Sequence, residues 1–222
     1  MLVQKKIKAV YTKVGNDMVK IRPDGWKPWA NTLAYYPFEK DINDYSWNWN
    51  NWTSWWWTYS WWFLTTTSLV RRSKLPNYDM SWEFTYSVWV DMNNTASDVY
   101  IEICTDNSYY PTSAIRLHSK ITVQFHRSNT WYVVDSPSSY TWIHCIQMVR
   151  DSSKIYLYID WTLIWSSSCS SWAPSNNYYM QLWWAWNSFA KVRLSNLIIE
   201  KKARTAEEIT SYYNLTKSNY WL

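Results

Sequence analysis

Residues 41–63 read DINDYSWNWNNWTSWWWTYSWWF, eight tryptophans set among Asn, Asp, Ser and Thr. No other feature limits the fold so strongly. Asn, Asp and Ser cluster where a chain reverses, and the residue that normally joins them is glycine. An indole is the wrong partner there, because a bulky side chain is an outlier in the left-handed backbone region that many turns use. The chain of 222 residues holds 21 Trp and only 2 Gly, where average usage of about 7% predicts roughly 15 glycines.

One reading is that most of these tryptophans occupy glycine positions. The codon UGA is read as stop, tryptophan or glycine under different genetic codes. A gene that reads it as glycine, translated with the tryptophan table, gives this pattern. Gly15 and Gly25 then come from ordinary glycine codons. Local sequence supports the idea. YIDWTLIW, residues 158–165, becomes Asp-Gly between two alternating runs, a strong hairpin signal of type I′. Trp161 in a left-handed position there would cost about 1–2 kcal/mol. SWNWNNWT and QLWWAWNSF likewise become loops. Trp89 and Trp142 differ: each lies in an apolar alternating run, EFTYSVWVDM and YTWIHCIQMV, where an indole suits a half-buried strand. Both are read as true tryptophans, and Trp82 and Trp131 fit either reading. The alternative is a naturally Trp-rich chain that stacks sugars. Consecutive Trp55, Trp56 and Trp57 do not suit it, and taken literally residues 47–62 would form a sticky apolar loop.

The rest of the chain reads as β almost throughout. KIKAVYTK and DMVKIRP, joined by Val14-Gly15-Asn16, form an N-terminal hairpin, followed by a Pro-rich linker. Ten further runs alternate with period two: TLAYYPF, EFTYSVWVDM, DVYIEICT, AIRLHSKITVQFHR, WYVVDS, WIHCIQMVRD, KIYLYID, TLIWSS, YYMQLW and FAKVRLSNLIIEK. Turn clusters between them predict an all-β, antiparallel two-sheet sandwich. RTAEEITSYYN carries the helix signal: Thr205 caps, Glu208 closes a capping box, and Ile209, Tyr212 and Tyr213 share a face. The expected organisation is a hairpin and linker arm over 1–30, one domain over 31–214, and a tail over 215–222.

Net charge is +5, and the first 27 residues hold seven Lys/Arg against two Asp. No aromatic-basic platform accompanies them, so a solvated arm is expected rather than a nucleic-acid site. No signal-peptide core and no apolar run long enough for a membrane span occur. Cys104, Cys145 and Cys169 lack metal-site spacing. The first two read as small core residues, with a bridge between them as the lesser alternative.

NTLAYYPFEKDINDYSWNWNNWT, read with glycines, resembles the opening of laminin-G-like, concanavalin A-like jelly-roll domains. EFTYSVWVDM is similar to the family's core strand, WIHCIQMVRDSSKIYLYIDW to its Trp-x-His strand and Tyr-x-Asp-Gly hairpin, and LSNLIIEKKARTAEEITSYYN to its closing strand and helix. The resemblance covers residues 31–214 and implies two antiparallel sheets packed face to face. It implies little about the ligand, since such modules serve as adhesins, sugar-binding modules, phage structural proteins and enzyme appendages. The basic hairpin arm also resembles parts of phage tail and prophage proteins.

Glucan-cleaving relatives carry a Glu-x-Asp-x-x-Glu strand, with the carboxylates on one face. This chain has no such run; its nearest approach, Glu102 with Asp106, lacks the middle acid. His144 reads as structural, and no nucleophile elbow, P-loop or zinc motif occurs. Calcium is the metal the resemblance suggests, held by hard oxygen ligands. The candidates are Asp41, Asn43 and Asp44, with Ser195 standing where the family often supplies an Asp. The plainer reading of the same trio is bonding to the loop's own backbone. For a ligand surface, Tyr109 with Tyr110 and Tyr178 with Tyr179 are the candidates, since exposed Tyr pairs stack on sugars or anchor proteins.

The expected function is therefore a non-catalytic recognition module for a glycan or a cell-surface receptor, extracellular or carried on a phage or prophage particle or as an adhesin. The alternative is a structural assembly subunit docking to a virion or tail partner through residues 1–28, and the least favoured is a glycan hydrolase.

Overall fold

The computed structural model describes residues 10–14, 17–21, 31–38, 43–46, 57–60, 63–66, 70–75, 83–94, 99–105, 111–118, 120–127, 130–169, 178–184 and 192–220. In chain order the strands are β1 (Val10–Val14), β2 (Asp17–Ile21), β3 (Thr32–Tyr36), β4 (Trp57–Ser60), β5 (Phe63–Thr66), β6 (Val70–Leu75), β7 (Phe84–Asp91) and β8 (Val99–Thr105). They continue with β9 (Pro111–Leu117), β10 (Ile121–Arg127), β11 (Thr130–Asp135), β12 (Ile143–Arg150), β13 (Lys154–Ile159), β14 (Thr162–Ser168), β15 (Tyr178–Trp184) and β16 (Val192–Glu200). One helix, α1 (Ala206–Thr216), and a 3₁₀ turn, Lys217–Tyr220, close the described chain.

The strands form a six-stranded sheet in the order β11-β10-β9-β8-β15-β6 and an eight-stranded sheet in the order β14-β13-β12-β7-β16-β5-β4, with β3 also pairing β16. Within both sheets neighbouring strands run antiparallel. β1 and β2 pair with each other as a separate hairpin, with Val14 opposite Asp17 across Gly15-Asn16.

Alternation builds the core. Phe84, Tyr86, Val88 and Val90 of β7 point one way and meet Ile115, Leu117, Ile121, Val123 and Phe125 of the six-stranded sheet. The Tyr86 hydroxyl and Ser113 Oγ hydrogen bond across the layers at 2.7 Å. Trp89, Cys145 and Ile198 point the other way and are covered by Tyr212, Tyr213 and Tyr220 from α1 and the 3₁₀ turn. Both faces of β7 are thus buried along its whole length, which is why its sequence reads as a nearly continuous apolar run. The fold is the expected all-β antiparallel sandwich with one C-terminal helix. Thr216 and Tyr220 belong to the packing of this outer face.

Three points differ from expectation. β4, β5 and β6 are strands the sequence did not predict; β4 and β5 lie at the end of the tryptophan-rich segment and β6 follows it. The run 114–127 is two strands, reversed at His118, whose N–H donates to the Lys120 carbonyl at 3.0 Å. Trp142 precedes β12 rather than sitting in it: the indole is 72% exposed and the residue has φ 71°. The strand starts one residue later, at Ile143, so the apolar run extends past the strand it suggested. A left-handed, solvent-facing position is where glycine is at ease and an aromatic residue is not.

Candidate functional site

Three clusters of described polar groups lie around the helix-covered face and the β13–β14 corner, and each is built into the fold. The first surrounds Asn196. β16 bulges where Ser195 faces Trp89 and Ile198 faces Ser87, so an extra residue must be accommodated. Asn196 takes φ 52°, which Asn tolerates better than most residues. Its amide donates to the Tyr220 hydroxyl at 2.5 Å and its carbonyl oxygen accepts from Tyr35 at 3.2 Å. Tyr220 donates on to Ser195 Oγ at 2.8 Å, and Ser195 donates to the Pro37 carbonyl at 3.2 Å. Ser195, at the position where an Asp could have served a metal, is thus a relay that fastens the C-terminal turn.

The second cluster lies under the start of α1. Arg204 pairs with Glu200, and both side chains are essentially buried. Arg204 Nη1 also donates to Ser87 Oγ at 3.2 Å and to Gln147 Oε1 at 3.3 Å, and its guanidinium lies 4.6 Å from the Tyr212 ring centre. Thr205 caps the helix: its Oγ1 accepts from the Glu208 N–H at 3.3 Å while Glu208 accepts from the Thr205 N–H at 3.0 Å. The capping box was legible from Thr205 and Glu208 alone; the buried Arg204–Glu200 pair was not, because an Arg beside a helix reads as solvated.

The third cluster is the β13–β14 corner. Asp160 and Trp161 connect Ile159 to its partner Thr162. Asp160 has φ 60° and Trp161 is not left-handed, which fits a II′ rather than a I′ corner. The strain expected at Trp161 therefore falls on Asp160, a residue that accepts it more readily. Asp160 Oδ2 lies 3.1 Å from His144 Nδ1, and Asp160 Oδ1 accepts from the Cys145 N–H at 3.1 Å. His144 Nε2 lies 2.7 Å from the Thr141 carbonyl, and the Tyr140 ring meets the imidazole edge-on at 5.2 Å. Burial works to lower the His144 pKa, but the Asp160 hydrogen bond and charge and the Thr141 carbonyl outweigh it and raise it above the ordinary value. Cys145 and Cys169 are free thiols, so no Cys104–Cys145 bridge forms. Burial pushes the Cys145 thiol well up, away from reactivity.

The residues proposed for binding are placed as follows. Asp44 is buried, and its Oδ1 accepts from the Tyr35 N–H at 2.9 Å and the Ser46 N–H at 2.8 Å. Its Oδ2 accepts from Ser46 Oγ at 2.7 Å. With both carboxylate oxygens accepting from neighbouring groups, Asp44 fits an Asx-type staple better than a calcium cage. Asn43 is exposed, and Asp41 lies outside the described residues. Among the described residues no three of His, Cys, Asp and Glu are grouped as a metal site. Tyr109 and Tyr110, like Asp106, lie outside the described residues. Tyr178 and Tyr179 occupy consecutive positions of β15, opposite Thr105 and Cys104 of β8.

Large apolar side chains are exposed on two strands at the ends of the described sheets. On β14, Leu163 and Trp165 are 48% and 67% exposed, and on β11 Trp131 and Val133 are 40% and 41% exposed. Both strands end their sheets.

No family model and no curated protein sequence matches the chain. Solved structures do. The binding domain of Paraclostridial Mosquitocidal Protein 1 superposes with a TM-score of 0.63 at 16% identity, covering 83% of this chain and 52% of that one. The binding domain of botulinum neurotoxin serotype D gives 0.61 at 14% identity, over 83% and 51%. The binding domain of botulinum neurotoxin DC, solved in complex with rat synaptotagmin II, gives 0.62 at 13% identity, over 83% and 51%. This chain spans about half the length of each. The likeness is one of fold, a β-sandwich found within receptor-binding domains.

Proposed function

We propose that the chain is a non-catalytic recognition module that binds a glycan or a protein receptor at a cell surface. The observation that carries this reading is the likeness to toxin binding domains over 83% of the chain. Because only half of each neighbour is matched, the receptor contacts of those whole domains do not transfer residue by residue. The commitment of His144, Glu200 and Asp160 to structural partners leaves them poor candidates for acid–base catalysis and favours binding over hydrolysis. The Tyr109–Tyr110 and Tyr178–Tyr179 pairs are the proposed contacts, and Asp41, Asn43 and Asp44 are the proposed calcium ligands. The proposed setting is extracellular or on a phage or prophage particle.

A glycan array and cell-surface capture with the intact chain, with and without Ca²⁺, test this. Saturable binding that Tyr109→Ala with Tyr110→Ala weakens at least tenfold is expected. No binding to any glycan or cell surface would defeat the reading. The second reading, an assembly subunit, is favoured by one observation: among the described strands β1 and β2 pair only with each other, and a lone hairpin is marginally stable in water. Strand addition to a neighbour would complete it. Removing residues 1–28 should then abolish assembly while leaving binding intact.

The identity of the tryptophans belongs to the same proposal. The left-handed, exposed Trp142 and Trp165, opposite Leu157 where the β13–β14 register shifts, support glycine at most indole sites, with Trp89 the exception. Peptide masses of protein from its native source, set beside UGA or UGG codons, test it; consecutive indoles at 55–57 would end it.

A further inference from the structure

We infer that His144, Asp160 and the Thr141 carbonyl form a proton-operated clasp that fastens the β13–β14 corner to the start of β12, closed while the imidazole carries two protons and loosened when it carries one. The geometry is the reason. Both imidazole nitrogens face acceptors, Asp160 Oδ2 at 3.1 Å and the Thr141 carbonyl at 2.7 Å. A carbonyl oxygen never donates and a carboxylate does not at neutral pH, so both nitrogens must donate, which only the imidazolium can do. A neutral ring would leave one nitrogen lone pair pointed at an oxygen. The side chains of His144 and Asp160 are about one-fifth exposed, so solvent screens the contact only in part and protons can still reach it.

What the clasp holds is specific. Asp160 is a left-handed corner residue. Its carboxylate also takes the Cys145 N–H, and its own N–H donates to the Cys145 carbonyl at 2.7 Å. Trp161 next to it packs on Tyr213 of α1, ring centres 4.6 Å apart. Loosening at Asp160 therefore reaches the helix that covers the outer face. The groups around the pair are few. Tyr140 meets the imidazole by its ring edge. Near Asp160 lie the Cys145 thiol and the Tyr213 hydroxyl, both kept neutral, with pKa values raised chiefly by burial and also by the Asp160 charge. The cation acting on Cys145 is Arg204, which is paired with Glu200. Among the described groups of this cluster, His144 is the one whose ordinary pKa lies in the physiological range.

The sign follows from the raised folded pKa. The clasp's contribution is complete below the ordinary histidine value of about 6.5 and is lost as pH rises through the higher folded value. The proposal does not depend on the ligand. It is tested on the full chain by NMR titration of the His144 ring together with amide-exchange protection of residues 160–162, corrected for intrinsic rates, at about pH 5.5 and about pH 8.5. The expected result is a ring that titrates above 6.5 with both nitrogens protonated, and a several-fold loss of corner protection at the higher pH while the Val88 and Ile146 amides are unchanged. His144→Gln, which keeps one donor but cannot titrate, should flatten the pH dependence; Asp160→Asn should lower the ring's titration point. A ring that titrates at or below 6.5, or equal corner protection at both pH values, overturns the clasp.

Discussion

The outer face of the eight-stranded sheet and the β13–β14 corner each carry an indole over the same helix, and they treat it in opposite ways. Trp89 is fully buried, stacks between Tyr213 at 5.5 Å and Tyr220 at 4.2 Å, and donates its ring N–H to Thr216 Oγ1 at 3.1 Å. Every part of the side chain has a use, both as apolar area and as a satisfied donor. Around the corner Trp142, Trp161 and Trp165 are 72%, 51% and 67% exposed, and their large apolar area stays mostly in water. The lesson is that abundance of tryptophan says little about the core of this protein. What matters is whether the backbone at each site offers a side chain a place to go.

Several changes probe how far that contrast extends. The largest expected effect is on the helix-covered side. Glu200→Ala strands the buried Arg204 guanidinium and should cost about 3–5 kcal/mol in urea unfolding. A loss near zero would mean that the pair does not anchor this face. At the turn between β12 and β13, Asp151 Oδ1 accepts from the Ser153 N–H and the Lys154 N–H, both at 2.7 Å, and Oδ2 accepts from Tyr156 at 2.6 Å. Asp151→Ala should cost about 1–3 kcal/mol. Burial alone would raise the Asp151 pKa, but these bonds outweigh it and lower it from 3.8. Its contribution is therefore present above the unfolded value and is lost as pH falls through the folded one. The same bond pushes the Tyr156 hydroxyl up to about 12, so a phenol that titrates at the ordinary value would contradict the contact. Thr205→Ala removes the capping box and should cost about 1 kcal/mol, readable as a lower urea midpoint. At the bare edge, Trp165→Thr should stay within about 0.5 kcal/mol; a large loss there would erase the distinction between the two regions.

The sandwich was legible because β7, β12, β13 and β16 alternate, and because Thr205, Glu208, Ile209, Tyr212 and Tyr213 spell a capped amphipathic helix. The hairpin corner at Asp160-Trp161 was legible too, though which residue turns left-handed was not, since that depends on the twist of the two strands. Trp142 misled because composition assigns an apolar residue to the strand it adjoins, and a strand's first residue is fixed by hydrogen bonding: here the Met92 N–H takes the Trp142 carbonyl at 2.8 Å and Asn93 Oδ1 takes its N–H at 3.1 Å. The Asn196 relay is not legible in the sequence because Tyr35 and Pro37 lie far from Asn196 and Tyr220 in it; Glu200 and Arg204 are only four residues apart, but a charged side chain alone reads as surface. The Asp44 staple was foreseen as the plainer alternative to calcium.

The most direct measurement applies one exchange, Trp to Gly, at the two sites and compares urea midpoints. Trp89→Gly should lower stability by about 3–5 kcal/mol or more, since it empties a packed site. Trp142→Gly should raise it by about 1 kcal/mol, since the left-handed backbone there is relieved of its Cβ. Equal losses at both positions would contradict the account, for they would mean that the exposed indole holds the fold as firmly as the buried one.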